Sequence, residues 1–228
     1  MLLQSRWKNW QISVSERFRY IVVEGPIGVG KTSLASKLAD EFESELLLEK
    51  PEENPFLASF YHNPRQYALS AQLHFLLQRA QQVQDFRQAD MFHDSYIADF
   101  MVDKDRLFAQ MTLGSDELAL YQQIYEHLTL DAPKPDLVIY LQAPVETLRE
   151  RIVRRGIDYE QQIRDDYLLR LSESYTRFFY DYDDSALLTV NTETTDLINN
   201  SDDYAAILEK ISNIHSGRHY FNQSSFAL

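Results

Sequence analysis

A parallel sheet with helices on both faces, an α/β fold, is the architecture this sequence predicts, and two observations predict it. Short apolar runs of strand length alternate with amphipathic runs of helical length along the chain, the pattern of successive strand–helix–strand units. Between the first such strand, Tyr20–Val23, and the first helix, Thr32–Phe42, lies Gly25-Pro26-Ile27-Gly28-Val29-Gly30-Lys31-Thr32, which satisfies G-x-x-x-x-G-K-[ST]. Three of only six glycines in the chain fall in this stretch. Glycine lets the loop curl so that successive N–H groups face inward, and the helix N-terminus adds its positive end. Lys31 would reach the β- and γ-phosphates of a bound triphosphate, and the Thr32 hydroxyl would ligate Mg²⁺. The loop predicts a nucleoside-triphosphate site.

The elements follow in order. Leu34, Ala35, Leu38 and Phe42 form one face of the first helix. Glu45–Leu48 reads as a second strand ending at Glu49, with Lys50-Pro51 stopping it. Asn54 caps a short helix that has Pro55 at its first position and runs to Tyr61. Arg65–Gln88 is a long helix, and Ser95–Ala98 a third strand closing on Asp99. Arg106–Met111 and Asp116–Leu130 are helical, separated by Gly114. Asp136–Gln142 is a buried strand bracketed by prolines, and Val145–Arg155 a helix stopped by Gly156. Asp165–Tyr182, Ala186–Val190 and Asp202–His215 read as helix, strand and helix. No linker-like stretch divides the chain. The expected organisation is an extension over residues 1–19, one domain over 20–215 and a tail over 216–228.

Composition narrows the partners. The 228 residues carry 22 basic and 35 acidic side chains, a net charge of −13, which disfavours a nucleic-acid-backbone binder. Positive charge for a triphosphate must therefore be concentrated locally, and Arg149, Arg151, Arg154 and Arg155 supply such a cluster just before Gly156. The absence of cysteine excludes disulfides, thiolate metal sites and a cysteine nucleophile. It agrees with a reducing compartment, and a cytoplasmic location is expected. No apolar run approaches the ~18 residues of a membrane span, so no membrane partner is expected. Met1–Arg19 lacks the apolar stretch of a secretory signal.

A triphosphate site alone leaves a switch GTPase or ATPase, a kinase of phosphorylated nucleotides, and a kinase of neutral hydroxyl acceptors. No guanine-reading N-K-x-D occurs in the chain. The stretch LLLEKPEENPFLASFYHNPRQYALSAQLHFLLQRAQQ, continued in KDRLFAQ and PDLVIYLQAPVETLRERIVRRG, resembles the deoxynucleoside kinase family, in particular its bacterial deoxyadenosine and deoxyguanosine kinases. The similarity runs from about Tyr20 to Val190. It implies a P-loop kinase fold with a parallel five-stranded sheet, a short Arg-bearing lid over the ATP phosphates, and a homodimer. The implied reaction uses ATP and Mg²⁺ to phosphorylate the 5′-hydroxyl of a deoxynucleoside in nucleotide salvage.

The resemblance also implies roles. Glu49, in E-x-P, matches the general base; a sugar hydroxyl has a high pKa, so a carboxylate must take its proton as the phosphoryl group arrives. Gln72 and Arg79 lie two turns apart on the long helix and match the pair that reads the base edge, Asp105 steadying the arginine. Tyr61 matches the contact to the sugar 3′-hydroxyl, and Glu160 its partner carboxylate. Arg155 matches the lid, Arg151 sits one turn earlier, and both suit a phosphate whose charge is spread over its oxygens. Asp99 matches an acidic position suited to Mg²⁺ through water.

Two positions depart from the family. Asp99 is followed by Phe100-Met101 where the family usually has Arg-Ser, and the second lid arginine is Ile157. Lys104 is a candidate point charge for the first vacancy, although an ammonium lacks the planar fork of a guanidinium. These departures motivate one alternative, a weakened regulatory partner subunit. The other, a thymidylate-kinase-like monophosphate kinase, would need cations for the acceptor's own phosphate, which the missing arginine does not supply, and a carboxylate at Glu49 would repel that phosphate.

Overall fold

In the computed structural model, Val14 and residues 17–89, 95–128 and 132–222 are described. Strands β1 (Tyr20–Glu24), β2 (Glu45–Leu47), β3 (Tyr96–Ala98), β4 (Leu137–Gln142), β5 (Ala186–Asn191) and β6 (Arg218–Phe221) form one sheet. Their order is β2-β3-β1-β4-β5-β6, and every pairing is parallel. Helices α1 (Lys31–Phe42), α2 (Leu57–His62), α3 (Pro64–Ala89), α4 (Lys104–Thr112), α5 (Ser115–Leu128), α6 (Val145–Arg155), α7 (Asp165–Asp181) and α8 (Ser201–Ser212) connect them. The chain first builds leftward from β1 and then crosses to its right. That reversal makes the carboxyl end of β1, between β3 and β4, a topological switch point where ligands bind.

Side chains alternate across the strands, so both faces of the sheet need cover. Ile21, Val23, Leu137, Ile139 and Leu188 pack on one face against Leu34 and Leu38 of α1 and Ile207 and Ile211 of α8. Val22, Ala98, Val138 and Tyr140 pack on the other face against Leu107 of α4 and Leu171, Tyr175 and Phe179 of α7. Outside that layer, Leu76 of α3 meets Ala109 of α4 and Tyr121 and Tyr125 of α5. Phe60 of α2 rests on Ala68 and Ala71 of α3. Each fully buried leucine or phenylalanine contributes about 1.5–3 kcal/mol by leaving water. The acceptor-side helices α2, α3 and α4 are thus fixed by apolar contacts before any ligand arrives.

Most expected elements agree with the structure to within a few residues. The sheet, however, has six strands rather than five. Arg218–Phe221, in the segment read as a tail, pairs with β5 from Leu187↔Arg218 to Val190↔Phe221. Arg218 secures it by donating from Nη1 to Phe179 O at 2.7 Å and from Nη2 to Tyr182 O. The helix expected at 202–215 ends at Ser212. The helix expected at Pro55–Tyr61 starts at Leu57, because Asn54 first forms a turn, its Oδ1 accepting from Phe56 N at 3.0 Å. The last two residues of the helix expected to reach Leu130 lie outside the described residues, as does most of the 1–19 extension.

Candidate active site

The phosphate-type loop leaves β1 and enters α1 as expected, and two of its glycines are sterically obligatory. A Cβ on Gly25 would lie 2.5 Å from Leu141 O, and one on Gly28 would lie 2.8 Å from Leu148 O, with Gly28 at φ +85°. The loop is wedged between β4 and α6 with no room for side chains there. Lys31 Nζ folds back to donate to Gly25 O at 2.8 Å and Pro26 O at 3.3 Å. Burial and the nearby Lys104 ammonium lower the Lys31 pKa, against the opposing pull of Glu24, Glu49 and Asp99. Two neighbouring ammonium groups in a buried cleft favour the arrival of a polyanion.

Three carboxylates stand at the carboxyl ends of adjacent strands. Asp99, just past β3, accepts from Thr32 Oγ1 at 2.5 Å and from the Glu49 backbone N at 2.7 Å. A hydroxyl and a carboxylate in contact form a hard oxygen donor set of the kind Mg²⁺ takes when phosphates supply the remaining ligands. These residues fit the ion. Among the described residues, no group of three or more acidic or histidine side chains is positioned to hold a metal alone. Glu49, just past β2, receives Arg79 Nη2 on Oε1 and Lys104 Nζ on Oε2, the latter at 3.1 Å. Burial alone would raise its pKa, but Lys104, Arg79 and Lys31 outweigh it and hold the carboxyl down at about 2. Glu24, the last residue of β1, is wholly buried. It accepts from Gly25 N at 2.9 Å, Met101 N at 3.0 Å and the Tyr175 hydroxyl at 3.0 Å.

The long helix α3 delivers Gln72 and Arg79, both nearly inaccessible. Arg79 bridges two acids: Nη1 pairs with Asp105 and Nη2 with Glu49. Its guanidinium also lies 5.1 Å from the centre of the Phe75 ring. The expected Arg79–Asp105 pair is therefore present, and it is extended to Glu49. The Gln72 amide has no hydrogen-bond partner among the described residues, though it lines the cleft. An amide that opens on the cleft is placed to pair with the polar edge of a ligand. Tyr61, stacked on Tyr159 at 6.2 Å, faces the same cleft as Glu160, which accepts from Arg155 Nη2 at 2.5 Å.

One cleft of about 120 Å³ brings together Ile27, Gly28, Lys31, Thr32, Glu49, Tyr61, Gln72, Arg79, Asp99, Asp105, Arg155 and Glu160. A second and wider cleft, about 760 Å³, opens between the loop, α6 and residues 192–200, and meets the first at Gly28 and Arg155. Arg151 belongs to this second cleft. It donates to Thr192 Oγ1 at 2.9 Å, Thr192 O at 2.6 Å and Val29 O at 3.2 Å, away from Glu49. Phe100 is buried in the apolar layer with Val22, Val138 and Tyr140, so its position offers no cation to the cleft. Glu24 and Tyr175 escaped the sequence reading. An acid at a strand end before a glycine reads as the start of a loop, and Tyr175 is one tyrosine among fourteen. Only their burial marks them.

A parallel sheet with a glycine-rich loop at its switch point, and a carboxylate-bearing cleft facing the loop lysine, define a P-loop phosphotransferase with a small-molecule acceptor. Residues 21–216 match the family model described as deoxynucleoside kinase. The chain is 34% identical over 202 residues to the deoxyguanosine kinase of Bacillus subtilis, covering 86% of this chain and 97% of that one. It is 29% identical over 205 residues to the deoxyadenosine kinase of Lactobacillus acidophilus, covering 84% and 94%. The structure superposes on deoxyadenosine kinase from M. mycoides, determined with the products dCMP and dCDP, with a TM-score of 0.74 and 24% identity over 86% of this chain and all of that one. The chain belongs to the deoxynucleoside kinase family. It is a kinase that phosphorylates a deoxynucleoside, and neither the monophosphate-kinase reading nor the regulatory-subunit reading is favoured.

Proposed function

We propose that this enzyme transfers the γ-phosphoryl group of Mg-ATP to the 5′-hydroxyl of a purine deoxynucleoside, deoxyguanosine or deoxyadenosine. The observation that carries this reading is the convergence of Glu49, Lys31 and Thr32 on one cleft with Gln72 and Tyr61. The charge pattern favours a neutral acceptor: Glu49 would repel a 5′-phosphate, and the cleft's cations are paired with carboxylates or loop carbonyls. The names of the relatives, deoxyguanosine and deoxyadenosine kinases, favour a purine.

In this mechanism Glu49 accepts the hydroxyl proton as the oxygen attacks phosphorus. Lys31 and the loop N–H groups hold the β- and γ-phosphates. Thr32 and Asp99 would hold Mg²⁺, which would supply positive charge against the charge developing on the phosphates. Arg155 closes over the transferring group from the lid, and Arg151 serves the donor cleft. Gln72 reads the base edge, Arg79 is held beside it by Asp105, and Tyr61 with Glu160 takes the 3′-hydroxyl.

We place the enzyme in the cytoplasm as a homodimer. The dimer rests on the family resemblance, and the net charge of −13 argues against a nucleic-acid-backbone partner. Among the described residues no helix is long and apolar enough to cross a membrane. A panel of the four deoxynucleosides with Mg-ATP, followed by ADP release, tests the reading. Turnover is expected to be fastest with the two purines. Turnover confined to pyrimidines would overturn the purine assignment.

A further inference from the structure

Lys104 is a buried charge set between two carboxylates. It opens α4 and is 3% exposed, yet it lines the acceptor cleft. Its ammonium stands 3.1 Å from Glu49 Oε2 and 3.4 Å from Glu24 Oε1. The two carboxylates are not equivalent. Glu24 is wholly buried and already accepts three hydrogen bonds, from Gly25 N, Met101 N and Tyr175 Oη, so it is a fixed anion. Glu49 has an 18% exposed side chain and faces the cleft. A lysine held by a locked acid behind and a cleft-facing acid in front can turn its ammonium toward a ligand without losing its anchor.

The other cleft cations have less freedom. Arg79 is tied at both ends of its guanidinium, to Asp105 and Glu49. Arg155 is paired with Glu160. The residue after Asp99 is a core phenylalanine. Lys104 also lies close enough to Lys31 for the two ammonium groups to repel. Like charges brought together in a buried cleft mark a site prepared for an anion.

We infer that Lys104 is a catalytic cation of the phosphoryl transfer, resting on Glu49 in the free enzyme and turning to the transferring phosphoryl group when both substrates are bound, with Glu24 as its anchor. This rests on the reading of the reaction given above. The 5′-oxygen forms a bond to the γ-phosphorus as the bond from that phosphorus to the β–γ bridging oxygen breaks. The electron pair leaves with ADP, and the hydroxyl proton passes to Glu49. Lys104 takes no part in the proton transfer. It carries positive charge to the equatorial oxygens while negative charge accumulates there, and its departure uncovers the Glu49 oxygen it had occupied.

The test compares wild type with Lys104→Met, Lys104→Arg and the double variant Lys104→Met/Glu24→Gln. The readouts are kcat, both KM values, the calorimetric Kd for ATP, and Tm. Losing a charge that acts only in the transition state lowers kcat by ~10²–10³-fold and leaves both KM values and the ATP Kd within about threefold. Lys104→Arg is expected to recover at least about tenfold of that loss, because the cation is retained. Lys104→Met leaves buried acid uncompensated and lowers Tm. The double variant removes the Glu24 charge but turns an amide NH2 onto a donor that Glu24 had accepted, so it recovers only part of the Tm and none of the kcat. Recovery of kcat together with Tm in the double variant would overturn the inference, since Lys104 would then only neutralise Glu24. So would a Lys104→Met kcat within about fivefold of wild type. Wild-type turnover separates the two proposals: an inactive wild type removes the reaction itself, whereas an active wild type with an active Lys104→Met removes only the role of Lys104.

Discussion

The two halves of the active site are built from different materials. The donor half, where the glycine-rich loop meets α6 and residues 192–200, is largely main chain, and its side chains are spent on carbonyls: Lys31 on Gly25 and Pro26, Arg151 on Thr192 and Val29. The acceptor half is a network of buried charges drawn from four separate elements, with Arg79 and Lys104 joining Glu49 to Asp105 and Glu24. A main-chain cradle suits phosphate groups common to every donor nucleotide, because backbone N–H groups are always present and always oriented. A side-chain network can distinguish one base and one sugar from others, since every buried polar group in it must find a partner. The cost is coupling: a change on the acceptor side propagates through shared carboxylates, and it meets the donor loop where Glu24 accepts from Gly25 N and Asp99 accepts from Thr32 Oγ1.

Perturbing each side separately sharpens this contrast. The largest effect is expected for Glu49→Gln, which keeps shape and removes the base. General acid–base groups contribute ~10²–10⁴-fold, so kcat should fall by that factor while the ATP Kd measured by calorimetry stays near wild type. A kcat close to wild type would remove Glu49 from the base role. Arg79→Ala is expected to cost about 3–5 kcal/mol of stability, because Glu49 and Asp105 both lose a partner. Its effect should therefore appear in Tm as well as in nucleoside kinetics, and an unchanged Tm would break the network account.

Gln72→Leu is expected to be milder. It leaves the base edge facing a methyl group, a loss of ~1–3 kcal/mol, or ten- to a hundredfold in kcat/KM for the nucleoside. The KM for ATP should hardly move. A shift in both substrates together would contradict the placement of Gln72 on the acceptor side alone. A further effect is in pH dependence. Glu49 has its carboxyl lowered from 4.5 to about 2 by Lys104, Arg79 and Lys31 against the opposing effect of burial. A depressed carboxyl stabilises the fold above its unfolded pKa, and that stabilisation disappears as pH falls through the folded value. Wild type should therefore lose stability between about pH 4.5 and 2 more steeply than Glu49→Gln, as chemical unfolding at a series of pH values would measure.

The donor half was legible because its signal is contiguous: loop, strand and helix occupy residues 20–42 without interruption. Glu49, Asp99 and Gln72 were reachable as strand-end acids and a helix position, but only the family resemblance gave them roles. What joins them was not legible. The Arg79 bridge to Glu49 crosses from α3 to the end of β2, and no spacing along the chain announces a contact between residues thirty apart. Glu24 was hidden by its neighbours, since an acid before Gly25 looks like solvent-facing loop until the sheet closes over it. The sixth strand was hidden for a different reason. Arg218–Phe221 alternates exposed and half-buried positions and lacks an apolar run, as an edge strand does. Its identity comes from pairing with β5 and from the Arg218 hydrogen bonds to Phe179 and Tyr182.

The most direct test of the account follows the phosphoryl group itself. Wild-type enzyme is given Mg²⁺, ATP carrying a labelled γ-phosphorus, and deoxyguanosine, and the label is located among the products. Convergence of the main-chain donor half and the charged acceptor half on Glu49 predicts label in the 5′-phosphate of dGMP, formed one for one with ADP. Label released as inorganic phosphate, or transferred only when dGMP replaces deoxyguanosine, would contradict it.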